Sequence, residues 1–114
     1  MEAIEIARRV VEIASDKQAV DTVLLDMKEA CFFADYFVIC NGESSRQIES
    51  IRQEIAHLLK KQGIILHHSE GTTDSGWVLL DFGSVIVHIF APQQRDYYQL
   101  DRLWDKAAPV IRLQ

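Results

Sequence analysis

The stretch GWVLLDFGSVIVHIF, Gly76 to Phe90, decides how this chain folds. Two apolar runs, Trp77 to Asp81 and Val85 to Phe90, flank Gly83-Ser84. A glycine-serine pair between strand-like runs marks a tight turn, and two strands joined so closely must be antiparallel. Read with a period of two, Trp77, Leu79 and Asp81 share one face of the first strand, and Val78 and Leu80 share the other. A strand pair built only for a core has little use for a tryptophan at its entrance, and less for a carboxylate and an imidazole, Asp81 and His88. The hairpin therefore predicts a sheet with one face in the core and another face available to a partner.

Working outward, the remaining elements supply that sheet and its cover. Glu2 to Ser15 places Ala3, Ile6, Ala7, Val10, Ile13 and Ala14 on one helical face. Thr22 to Met27 and Asp35 to Cys40 read as strands, and their continuous apolar runs suit strands covered on both sides. Asn41-Gly42 breaks the second strand. Ser44 with Gln47 three residues on is a capping-box pattern. It opens a helix to about Lys61 with a stripe of Ile48, Ile51, Ile55, Leu58 and Leu59. Lys60 and Lys61 suit the negative end of the helix dipole, and Gly63 its C-cap. Ile64 to His68 reads as a short strand and Glu70 to Ser75 as a loop. Gln93 to Trp104 carries a helical pattern through Tyr97, Leu100, Leu103 and Trp104, and Pro109 blocks further helix. The expected fold is α/β (α+β), a single domain spanning 1–114 with a mixed sheet of roughly five strands flanked by helices.

Composition narrows the function. The chain has 114 residues, 48% apolar and 25% charged, with net charge -5 and pI near 5.3. An acidic balance argues against broad nucleic-acid binding, which neutralises phosphates with Lys and Arg, and suits a basic protein partner. Cys31 and Cys40 are too few for a disulfide framework and have neither redox nor zinc spacing. No apolar run reaches the roughly 18 residues needed to span a bilayer. The N-terminus, with Glu2 and Glu5, lacks the basic start of a signal peptide. A cytoplasmic protein without a membrane partner is expected.

The motifs with chemical potential have plainer readings. Asp81-Phe82-Gly83 matches a kinase metal-binding tripeptide, but the chain is too short for a kinase and has no catalytic-loop signature. Asn41 to Ser45 lies between a strand and a helix, where small residues can bind an anion. It is not a P-loop. A nucleotidyltransferase also uses a glycine-serine turn after a strand, but then needs paired carboxylates at alternate strand positions. No Asp-x-Asp or Asp-x-Glu follows here. His67 and His68 would point to opposite faces of a strand and so do not readily share an ion. No metal, cofactor or catalytic residue is expected. Trp77 and Tyr98 are either core aromatics or binding hot spots. Adjacent helical residues point about 100° apart, so one of Tyr97 and Tyr98 can pack while the other faces out.

Several separated blocks, in order, carry a resemblance to a known family. They are Ala34 to Cys40, Gly42 with Ser44 to Gln47, Glu70-Gly71, Trp77 to Gly83, Val87-His88, and Tyr98, Leu100 and Leu103-Trp104. Together they resemble the ribosomal silencing factors, also called Iojap, over nearly the whole chain. The resemblance implies a nucleotidyltransferase-like core without catalytic carboxylates and a non-enzymatic role. That role is binding the large ribosomal subunit through its ribosomal protein numbered fourteen, blocking association with the small subunit, and repressing translation under nutrient limitation in the bacterial cytoplasm. It also implies a possible homodimer. Trp77, Phe82 and Tyr98 are expected at the contact centre, with Leu79, Asp81 and His88 as second-rank contacts, Asp81 and His88 as rim or positioning groups. Ribosomal RNA contact through Arg46, Arg52, Lys60 or Lys61 is not expected to dominate. The competing reading is a relict nucleotidyltransferase acting on a nucleotide or RNA end. A third is a plain dimeric adaptor.

Overall fold

The computed structural model describes residues 1–100 and 107–113. Along them run α1 (Ala3–Asp16), β1 (Val20–Asp26), β2 (Tyr36–Asn41), α2 (Ser45–Lys61), β3 (His68–Glu70), a 3₁₀ turn (Thr73–Ser75), β4 (Trp77–Asp81), β5 (Val85–Phe90), α3 (Pro92–Tyr98) and β6 (Ala108–Leu113). The described strands form one mixed sheet in the order β3-β4-β5-β2-β1-β6. β2 and β5 pair in parallel at its centre, and every other neighbouring pair is antiparallel. A parallel pair needs a long crossover, and α2 lies within the one that leads from β2 to β5. Both central strands are buried along their whole length, which is why their sequences run apolar almost without interruption.

The sheet has two unlike faces. On one, Ile6, Val10 and Ile13 of α1 and Ile48, Ile51, Ile55 and Leu59 of α2 pack on Val38, Cys40, Val87 and Ile89. Alternate residues of the same strands, among them Phe37, Ile39, Ile86 and Phe90, form a second cluster on the opposite face. The period-two reading of the hairpin therefore holds: Val78 and Leu80 are buried under the helices, and Trp77, Leu79 and Asp81 are half-buried on the other side. The Cys40 thiol lies in the helix-covered layer, and burial pushes its pKa up to about 12.

α2 begins much as its sequence suggests. Ser44 Oγ accepts the Gln47 backbone N–H at 3.1 Å. The Gln47 side chain caps Glu43 N–H at 2.7 Å, one residue earlier than a standard box. Gly42 owes its identity to packing: a Cβ there would lie 2.7 Å from Ile48 Cγ1.

Three boundaries differ from expectation. β6 makes a sixth strand that the sequence did not announce. Its residues 109 and 111 pair with β1 across a register shift, and an edge position tolerates Pro109. The strand expected at Ile64 to His68 pairs instead at His68–Glu70, and Ile65 and Leu66 lie exposed ahead of the ladder. α3 stops at Tyr98, where Gln99 adopts φ 47°. The expected continuation through Leu103 and Trp104 lies outside the described residues.

Candidate protein-docking surface

Trp77 opens β4 on the sheet face away from the helices, packed partly buried against the second cluster. Its indole Nε1–H donates to His88 Nδ1 at 3.2 Å. The ring stacks on Phe90 at 5.0 Å and meets Tyr98 at a tilt, with centroids 4.7 Å apart. β4–β5 pairing sets this up by placing Trp77 opposite Phe90 and Leu79 opposite His88. The indole is therefore held by a hydrogen bond and by ring contacts to both sides, while remaining half-exposed.

His88 is not the rim group expected from sequence. It is 3% exposed, and burial drives its pKa down to about 3. The imidazole is neutral near pH 7, and because Nδ1 accepts from Trp77 its proton sits on Nε2. That Nε2 is buried without a hydrogen-bond partner. The ring is wedged against Phe37 at 4.8 Å. His88 works beneath the surface, as the acceptor that orients Trp77.

Tyr98 arrives from α3. Arg95, one turn earlier, is 9% exposed and donates from Nη1 to Asn41 Oδ1 at 3.0 Å and to the Asp21 carbonyl. These bonds tie α3 to the ends of β1 and β2 and hold Tyr98 over Trp77. Tyr98 remains 43% exposed; Tyr97, at 81%, meets it edge-on at 5.0 Å. One tyrosine thus packs sideways on Trp77 while its neighbour faces out.

Glu70, Gly71, Ser75, Trp77, Leu79 and Tyr98 enclose a shallow groove of about 320 Å³. Gly71 permits its close wall. It has φ 83°, and a Cβ there would fall 2.0 Å from the Trp77 carbonyl oxygen. Asp81 Oδ1 accepts Gly83 N–H at 2.7 Å, so this carboxylate shapes the hairpin turn from the edge of the same face.

Phe82 departs from expectation most clearly. It is 5% exposed and belongs to the helix-covered cluster with Leu80 and Val85. Its position at the hairpin corner turns it to the opposite side of the sheet from Trp77, so the two cannot share a contact centre. The structure brings together Trp77, Leu79 and Tyr98, sets Asp81 at the edge, puts His88 underneath, and sends Phe82 away.

Among the described residues, no set of three or more His, Cys, Asp or Glu side chains is placed to hold a metal ion. His68 Nε2 instead lies 3.1 Å from Glu70 Oε1 on the exposed edge. Among the described residues no helix is long and apolar enough to cross a membrane.

The sequence model of the family described as "Ribosomal silencing factor during starvation" matches residues 1–114. The chain belongs to this family. It is 38% identical to the ribosomal silencing factor RsfS of Halalkalibacterium halodurans over 110 residues, 96% of this chain and 93% of that one. A more distant relative, 28% identical over 82% of this chain and 42% of its own length, is the mouse protein named "Mitochondrial assembly of ribosomal large subunit protein 1". A crystal structure of a Chromobacterium violaceum protein superposes with a TM-score of 0.88 at 31% identity, covering 97% of this chain and 94% of that chain. The mixed α/β architecture is thus that of this family.

Sequence reasoning missed Arg95. Nothing in PQQRDYY distinguishes a buried arginine from a solvated one, because the partners that bury it are a carbonyl and an amide far along the chain.

Proposed function

We propose that this protein regulates translation by docking its open sheet face on the large ribosomal subunit, through the ribosomal protein numbered fourteen, and so keeps the small subunit from joining. The observation that carries this reading is the half-exposed Trp77, fixed by His88, Phe90 and Tyr98 above an apolar groove. A rigid aromatic anchor loses little freedom on binding and is a common hot spot. Leu79 and Tyr98 extend the apolar centre, and Glu70 and Asp81 supply an acidic edge. Such an edge steers a basic ribosomal protein into place. Joining is blocked by occupied volume, which needs no bond-making chemistry, cofactor or metal, and the action fits the bacterial cytoplasm. The same face is open to a second copy of the chain, so self-pairing and ribosome binding would compete.

The direct test is binding of the wild-type protein to the isolated ribosomal protein, with a midpoint that weakens as salt rises. Absence of binding would refute the proposed partner. Thermal stabilisation by nucleotide and magnesium would instead favour a nucleotidyltransferase-like enzyme.

A further inference from the structure

The open sheet face carries a second aromatic outcrop, on the loop from β1 to β2. Phe32 is fully exposed, at 101% of its reference area, and Phe33 is 50% exposed. Burying an aromatic ring is worth kilocalories, so a ring left wholly in water contributes little to this fold. The loop itself is not adrift. Ala30 N–H and Cys31 N–H both bond the Met27 carbonyl at 2.9 Å, and Ala30, Cys31 and Ala34 pack into the same cluster as Trp77 and Leu79. The outcrop is thus a protrusion on a seated base.

It is also continuous with the Trp77 surface. Phe32 meets Phe33 edge-on at 6.0 Å, Phe33 meets Phe37 at 6.2 Å, Phe37 meets His88 at 4.8 Å, and His88 meets Trp77 at 6.0 Å. The middle of this row, Phe37 and His88, is buried; its Phe32 end is fully exposed and its Trp77 end is half-buried. Those short steps place both ends within one patch of about 800 Å² per partner, the usual size of a specific interface, roughly 30 Å across. The Trp77–Tyr98 groove alone is smaller than that. Charge points to the same kind of occupant at both ends. Exposed Glu29 and half-buried Asp35 flank the phenylalanines, while the nearby Lys28 is engaged by Tyr36 Oη at 2.7 Å and by Asp26 at 3.2 Å. Glu70 and Asp81 border the other end.

We infer that Phe32 and Phe33 form a second anchor of the docking surface and insert into an apolar recess of the same basic protein that receives Trp77. This inference rests on the proposed ribosomal partner. Two anchors joined by a rigid buried row fix orientation as well as affinity, since a partner must meet both at one spacing.

The test is the affinity of the full chain for the isolated ribosomal protein, comparing wild type with Phe32→Ser. Phe32 is in solvent, so this variant keeps its fold; an unchanged melting temperature checks that. The dissociation constant is expected to rise about tenfold or more, with Phe32→Trp restoring binding. Wild-type binding that Phe32→Ser leaves unchanged overturns the second anchor while sparing the first. Loss of self-association in Phe32→Ser, without change in affinity for the ribosomal protein, also overturns it and assigns the outcrop to a second copy. If the wild type itself does not bind, the proposed partner fails and the inference falls with it.

Discussion

The two faces of the sheet divide the work of the molecule. The helix-covered face is aliphatic and closed: Ile48, Ile51, Ile55 and Leu59 of α2 are each at most 1% exposed. The opposite face also has a buried layer, with Phe37, Ile39, Ile86 and Phe90, but carries aromatic rings at or near its surface: Trp77, Tyr98, Phe32 and Phe33. Aliphatic side chains fill volume and stabilise the fold without displaying anything. Aromatic rings offer flat, rigid area with few torsions to freeze, which suits a surface that is covered only when a partner arrives. On the proposed reading, the two-residue period of the strands separates stability from recognition, so substitutions on the two faces should fail in different ways.

The largest effect should come from the closed face. Ile51→Ala removes a fully buried side chain and should lower unfolding free energy by about 2–5 kcal/mol, read by urea denaturation. The fraction that stays folded should bind the ribosomal protein as wild type does. A specific binding defect in folded Ile51→Ala would blur the division between faces.

Next is Trp77→Ala on the open face. It should cost roughly 2–4 kcal/mol of binding while the protein stays folded, measured by titration of the ribosomal protein with circular dichroism as control. Global unfolding would make Trp77 a core residue and collapse the distinction.

His88 sharpens the comparison because it is buried yet serves the open face. Its folded pKa is held down to about 3, against an ordinary value of 6.5. Above pH 6.5 both folded and unfolded states are neutral and nothing is lost. As pH falls below 6.5, the unfolded chain takes up a proton that the folded chain refuses until about pH 3. Stability should therefore decline across that window, by about 2 kcal/mol at pH 5 from this residue. His88→Gln, which can still accept from the indole, should flatten the decline. His88→Leu should also flatten it but release Trp77, seen as a red-shifted, less anisotropic fluorescence. An unchanged pH profile in both variants would remove His88 from this role.

The smallest effect belongs to the edge. Glu70→Gln should weaken binding by less than about 1 kcal/mol, mostly through slower association at low salt. A larger loss at high salt would mean that Glu70 makes a direct, desolvated contact.

Much of this division was legible in the chain itself. The alternation of Trp77, Leu79 and Asp81 against Val78 and Leu80 separated the faces, because a strand's side chains have no other choice. α2 was readable from its stripe and its Ser44 cap for the same reason: the causes are local. What stayed hidden depended on distant partners. Phe82 looks like another exposed aromatic until the hairpin corner turns it under the helices. His88 looks like a polar rim group until Phe37 and Trp77 close over it. Arg95 is buried by residues 54 and 74 positions away. β6 escaped because a proline inside a short run argues against a strand, and only its place at the sheet edge makes Pro109 acceptable.

The central claim is that the open face occupies the surface where ribosomal subunits meet. It is tested most directly by sedimenting purified large and small subunits with this protein. Wild type should deplete the joined ribosome peak and leave free subunits, with the protein migrating on the large one, and Trp77→Ala should restore joining. Subunits that join fully in the presence of saturating wild-type protein would contradict the account.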